Sequence, residues 1–93
     1  MNTRLGIDLM PVYDSRKSFY DKAWMLEEAG VEYLVSYNTP VVKLTLGGKP
    51  RVAQVGVDSN TSLRHVKEYL KQRGFTATTK KQIVKDYVDG WQY

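Results

Sequence analysis

Apolar positions along the chain first alternate and then recur at helical spacing. Val31, Tyr33, Val35 and Tyr37 interleave with Glu32, Leu34 and Ser36, a period of two in β-branched and aromatic residues that predicts a strand. Asn38-Thr39-Pro40 predicts a turn, because proline fixes its own φ and pushes the preceding residue toward extended backbone. Val42, Leu44 and Leu46 then alternate with Val41, Lys43 and Thr45, and Gly47-Gly48 follows, a pair suited to a tight hairpin loop. A further strand is predicted from Arg51 to Val57 through Val52, Ala53 and Val55. The middle of the chain therefore reads as an antiparallel meander. Residues 18–29 fit two readings. Phe19, Tyr20, Ala23 and Trp24 make a helical face ending near Gly30, while Tyr20, Lys22, Trp24 and Leu26 make one face of a strand that turns at Ala29-Gly30.

After Val57 the period lengthens. Asp58-Ser59-Asn60-Thr61 is a cluster of residues whose side-chain oxygens cap first-turn N–H groups. Leu63, Val66 and Leu70 follow at i, i+3 and i+7, Tyr69 lies beside them, and Gly74 supplies a stop. Phe75 is expected to fold back onto this helix. Thr79-Lys80-Lys81-Gln82 has capping-box spacing. Ile83, Val84, Tyr87 and Val88 then form the apolar face of a second helix, ended by Gly90. The expected fold is α+β: a small antiparallel meander of about four strands followed by two C-terminal helices. It forms a single domain over residues 1–93, mostly β over 12–57 and helical and basic over 58–90, with 91–93 as a tail.

Charge separates the same two parts. The formal net charge is +4. Residues 1–58 carry seven Lys/Arg and seven Asp/Glu, whereas residues 59–93 carry seven Lys/Arg and three Asp/Glu. The whole excess lies in the helical part, where it describes a partner surface rather than a solubility average. The remaining composition is that of an ordinary globule, with 42% hydrophobic and 26% charged residues. The absence of cysteine excludes disulfides, thiolate metal sites and a cysteine nucleophile. No apolar run approaches the roughly 18 residues of a membrane span and no signal peptide is evident, so the expected location is cytoplasmic, with no membrane partner.

Three blocks carry a resemblance. They are Tyr13-Asp14-Ser15-Arg16-Lys17-Ser18-Phe19-Tyr20-Asp21-Lys22-Ala23, the stretch from Leu34 through Ser36-Tyr37-Asn38-Thr39 to Val42, and the stretch from Ser59 through Leu63-Arg64-His65 to Phe75. In order and spacing they resemble a family of small uncharacterised proteins from Gram-positive bacteria, their phages and mobile elements. The resemblance covers roughly residues 12–87. It implies a compact accessory protein with no established catalytic or ligand residues. The variable insert of that family after the position of Lys22-Ala23 favours the strand reading of residues 18–29.

Candidate chemistry points to binding. The single histidine, His65, would have to serve every common nucleophile–base pair. On a helical wheel it lies beside Gln72 at the edge of the polar face, and a surface or boundary position is expected. Asp14 and Asp21 make a weak carboxylate pair, with Asp14 better suited to tying down a turn. No phosphate loop, dinucleotide fingerprint, calcium loop or zinc spacing occurs, so neither an enzyme nor a cofactor or metal is expected. Arg64, Lys67 and Lys71 form a basic stripe at i, i+3 and i+7, with Glu68 positioned to pair with Arg64. Lys80, Lys81 and Lys85 add charge at the second helix, and a helical hairpin would merge the two sets into one phosphate-contacting patch. Nucleic acid is the first expected partner and a host protein, such as a defence or nucleic-acid-processing enzyme, the alternative. Homo-oligomer formation through a sheet edge or Trp91 and Tyr93 is the third. The eleven aromatic residues are expected mainly in the core, with Trp91 and Tyr93 either folded back over the sheet or offered to a partner.

Overall fold

The computed structural model of the chain describes residues 6–16, 18–19 and 22–93. Five strands form one antiparallel sheet in sequence order: β1 (Ile7–Asp8), β2 (Ala23–Glu28), β3 (Val31–Ser36), β4 (Thr39–Thr45) and β5 (Arg51–Val52). Three helices follow: α1 (Val55–Asp58), α2 (Asn60–Gln72) and α3 (Lys80–Tyr87). The α+β reading holds, with a short fifth strand at the edge and a one-turn helix added. Residues 23–28 form a strand, whereas Tyr20 and Asp21 lie outside the described residues.

Two hairpins set the register. Ala29 and Gly30 have φ of 53° and 79°, and Tyr37 and Asn38 have φ of 50° and 67°. Positive φ at both central residues gives the primed turn geometry, whose twist matches that of the flanking strands. The second turn thus sits at Tyr37-Asn38, one residue earlier than the Asn38-Thr39-Pro40 reading, and Thr39 and Pro40 begin β4. The ladder shifts between Leu34 and Val35: Val35 faces Pro40 but Leu34 faces Val42. Val41 is the extra residue of this bulge, a place where a proline without an N–H is tolerated.

The predicted strand from Arg51 to Val57 stops at Val52. The Ala53 N–H donates to the Val41 carbonyl at 2.8 Å, and the chain then turns into α1. A Cβ on Gly56 would lie 2.9 Å from Val41 Cβ and 3.3 Å from Val66 Cγ2. Only a glycine lets α1 wedge between β4 and α2.

Caps bound α2 as its sequence suggests. Ser59 Oγ accepts from the Ser62 N–H at 3.1 Å. At the other end Gly74 takes φ of 83°, and the Phe75 and Gly74 N–H groups donate to Leu70 and Lys71 carbonyls, a Schellman stop. Thr79 Oγ1 caps α3 by accepting from the Gln82 N–H, while Gln82 Oε1 reaches Thr78 N–H at 2.7 Å, one residue before the cap. Leu34, Val42 and Val52 from the sheet meet Val66, Tyr69, Leu70 and Ile83 in the core. Helix α3 packs against β5, where Val88 bridges Val52, rather than lying along α2.

The outer sheet face carries a second, smaller cluster. Trp24 pairs with Val35, and Leu26 with Tyr33, on the face away from α2. Trp91 stacks on Tyr33 with ring centroids 6.4 Å apart, and Tyr93 meets the same ring edge-on at 5.7 Å. The tail therefore folds back over the sheet.

Candidate functional site

Helix α2 is covered on two sides. Val66, Tyr69 and Leu70 face the sheet core. Ser62, His65 and Glu68, at i, i+3 and i+6, form a buried polar stripe. Glu68 is only 2% exposed. Its carboxylate accepts from the backbone N–H groups of Val12, Tyr13 and Asp14 at 2.9, 2.9 and 2.8 Å, and from Gln72 Nε2 at 2.7 Å. The same Gln72 amide also donates to the Met10 carbonyl. A buried carboxylate is tolerated because several donors replace its lost hydration. The expected Arg64–Glu68 pair is therefore not formed. Arg64 Nε instead meets Asp14 Oδ2 at 3.2 Å, and Asp14 Oδ1 accepts from the Arg16 N–H at 2.9 Å, the turn-tying role its sequence position suggested.

This clamp places the N-terminal segment along the basic stripe. Tyr13, Asp14 and Glu68 join Asn60, Leu63, Arg64, Lys67 and Lys71 around a cavity of about 300 Å³. Arg64, Lys67 and Lys71 are thus brought together. No carboxylate among the described residues pairs with Lys67 or Lys71. Lys80, Lys81 and Lys85 are exposed on α3 but line neither this cavity nor the next one.

A surface or boundary position is expected for His65, and the residue is instead 1% exposed. The helical wheel placed it beside the polar face, but the N-terminal segment and the Tyr37 turn cover that side of α2. Phe19 packs edge-on against the imidazole at 4.6 Å between centroids, and the Tyr37 ring lies 5.8 Å away. Ser36 Oγ lies 2.8 Å from Nδ1 and 3.1 Å from Ser62 Oγ. Burial pushes the imidazole down to about 4; Asp14 pulls it back up, while Lys22 and Arg64 push it further down. Near neutral pH the ring is uncharged. Ser36 and His65 have the atoms of a nucleophile and base, and both are buried, at 2% and 1% exposed.

A second cavity, of about 150 Å³, opens on the other side of Arg64. Arg16, Ser18, Phe19, Lys22, Tyr37, Thr61, Arg64 and His65 line it. These residues come from three stretches far apart in the sequence, one holding Arg16 and Lys22, one Tyr37 and one Thr61 to His65. Sequence reasoning missed Arg16, Lys22 and Tyr37 as members of one site. The available signal was only the closeness of Arg16 and Lys22, since the hairpin turn that delivers Tyr37 is not local to them.

A further cluster joins α2 to β3. Tyr69 Oη donates to Glu32 Oε1 at 2.6 Å, and Arg73 Nε meets the same oxygen at 2.8 Å. Burial raises the Glu32 carboxyl, but the Arg73 and Tyr69 hydrogen bonds outweigh it and hold the group below its ordinary value. Among the described residues no group of three or more side chains is arranged to hold a metal ion, and no helix is long and apolar enough to cross a membrane.

A family model matches residues 7–85, spanning both cavities and the Glu68 clamp; it is described as a family of unknown function, DUF8033. The chain belongs to that family. No curated protein and no solved structure matches it. The match covers the sheet and most of α3, leaving the Trp91–Tyr93 tail outside the matched range.

Proposed function

We propose that this protein is a non-catalytic accessory protein of the phage or mobile-element type that contacts nucleic acid through the basic face of α2. The observation that supports this reading most is the grouping of Arg64, Lys67 and Lys71 on one concave surface, with neither lysine neutralised by a carboxylate among the described residues. Cations that follow a groove meet successive phosphates, and their affinity comes largely from counterion release. Tyr13, 59% exposed at the rim, offers a ring on which an unpaired base stacks. Lys80, Lys81 and Lys85 extend the positive field from α3 without sharing the groove. The test is fluorescence anisotropy with labelled single- and double-stranded DNA and RNA across a salt series. Binding that weakens steeply with salt supports the reading; absent or salt-independent binding ends it.

A protein partner is the second reading, and one observation favours it. Ile7, Met10, Val12 and Tyr13 expose 74, 55, 69 and 59% of their surfaces along one segment. Apolar residues gathered on a held segment suit a protein interface. Pull-down from the native host with and without nuclease separates the two readings.

A further inference from the structure

We propose that the smaller cavity, between the N-terminal segment, the Tyr37 turn and the first turns of α2, is a binding site for a single phosphoryl group. Its wall brings three cationic side chains, Arg16, Lys22 and Arg64, around a space of about 150 Å³. Pockets for drug-sized ligands run to roughly 300–1,000 Å³, so this one suits a small anion rather than a whole nucleotide. Thr61 and Ser18 add hydroxyl groups to the wall. Among the described residues, Arg64 alone of the three cations has a carboxylate partner, Asp14 at 3.2 Å. The positive charge is therefore incompletely balanced, and a phosphate dianion is the ligand that completes it.

The buried hydroxyl chain behind the imidazole fits the same ligand. Ser62 Oγ, Ser36 Oγ and His65 Nδ1 lie in series at 3.1 and 2.8 Å. With Nδ1 engaged by Ser36, Nε2 is the remaining ring nitrogen of a side chain that is 1% exposed and forms part of the cavity wall. If Ser62 donates to Ser36 and Ser36 donates to Nδ1, the neutral ring carries its proton on Nε2 and donates it toward an anion. An anion thus selects one direction of the chain. Phe19 and Tyr37 wall the imidazole, which keeps that donor in a poorly hydrated setting where it is worth more.

The site does not depend on the nucleic-acid reading, because its chemistry is that of any phosphate monoester. The test is an NMR titration of the full chain with inorganic phosphate against chloride at equal ionic strength. The readouts are the His65 ring nitrogens and the Thr61 and Lys22 amides. Saturable shifts with His65 in the Nε2–H form, and at least a tenfold loss of affinity in Arg16→Met and Lys22→Met, are expected. Lys22→Arg should keep the affinity, and Lys43→Met, on the opposite sheet face, serves as the charge-matched control. A parallel arm compares 5′-phosphorylated with 5′-hydroxyl oligothymidylate. A gain of tenfold or more for the phosphorylated strand, lost in Lys22→Met, identifies a nucleic-acid end as the source. Saturation by inorganic phosphate without that gain identifies a small phosphate ester. Shifts no larger with phosphate than with chloride, or equal affinities in wild type and Lys22→Met, would overturn the proposal. Failure here leaves salt-dependent binding at Lys67 and Lys71 measurable on its own.

Discussion

Glu68 on α2 and Tyr13 in the N-terminal segment are joined through both carboxylate oxygens, which lie 2.9 and 3.1 Å from one backbone N–H. With the Val12 and Asp14 N–H groups on the same carboxylate, one side chain holds a stretch that otherwise has little regular structure. Replacing Glu68 by Gln removes the charge and turns an NH₂ group toward those donors. We expect a loss of about 3 kcal/mol, in keeping with breaking buried charge-assisted hydrogen bonds. Urea unfolding checks the loss, and hydrogen exchange should quicken at Val12, Tyr13 and Asp14. An unchanged midpoint with unchanged exchange would show that the carboxylate does not hold the segment.

His65 makes stability depend on pH. In the fold its pKa is about 4 against an ordinary 6.5. Between those values the unfolded chain binds a proton that the folded chain does not, so stability falls as the solution is acidified. The contribution is complete above about pH 6.5 and lost below about 4, and its size is of the order of 3 kcal/mol. Urea midpoints measured from pH 7.5 to 4 should decline, and His65→Gln should flatten that part of the curve. Equal slopes in the two proteins would assign the decline to other groups.

The lysines of the larger cavity predict a change of slope as well as of affinity. Each phosphate contact contributes about 0.7 (single strands) to 0.9 (duplex) to the dependence of log K on log salt. Lys67→Met with Lys71→Met should lower that slope by roughly 1.4 to 1.8 if both lysines contact phosphates. A parallel loss of affinity at unchanged slope would place the phosphate contacts elsewhere.

The first hairpin stores a small strain. Ala29 sits at φ of 53°, a region that disfavours most L-residues with a Cβ and suits asparagine or glycine. Ala29 is exposed, and Ala29→Asn should raise stability by about 0.5–1 kcal/mol. Differential scanning calorimetry reads this as a higher Tm; a lower one would mean the alanine methyl makes a contact of its own.

The local chemistry of the sequence was readable and its long-range coverage was not. Alternation from Val31 onward, the Ser59 and Thr79 caps and the Gly74 stop each depend on neighbours within a few residues, and each occurs as the pattern suggests. Val55 and Val57 continue the alternation, so the pattern predicts a longer strand than the Arg51–Val52 that forms. After Val52 the chain instead turns into α1, where the missing Cβ of Gly56 permits close contact with Val41 and Val66, a tertiary relationship. The burial of His65 and Glu68 was hidden for a related reason. A single apolar stripe defines one buried face, whereas α2 has two, and the second is lined by Ser62, His65 and Glu68. Those side chains are satisfied by backbone and hydroxyl groups 26 to 56 positions away in the sequence, a relationship that no periodicity in α2 encodes. The two basic sets are legible as charge along the sequence, but which of them share a groove depends on the packing of α3 against β5 and on the clamp at Glu68.

Both tryptophans, Trp24 and Trp91, belong to the outer sheet face, one opposite Val35 and the other stacked on Tyr33. Intrinsic fluorescence is thus a one-sided probe of this molecule. It will report release of the C-terminal tail from the sheet, but the five-stranded sheet stands between both indoles and the cavities beside α2. Ligand occupancy there should leave emission almost unchanged, and a silent fluorescence titration would describe where the indoles are rather than what the protein binds.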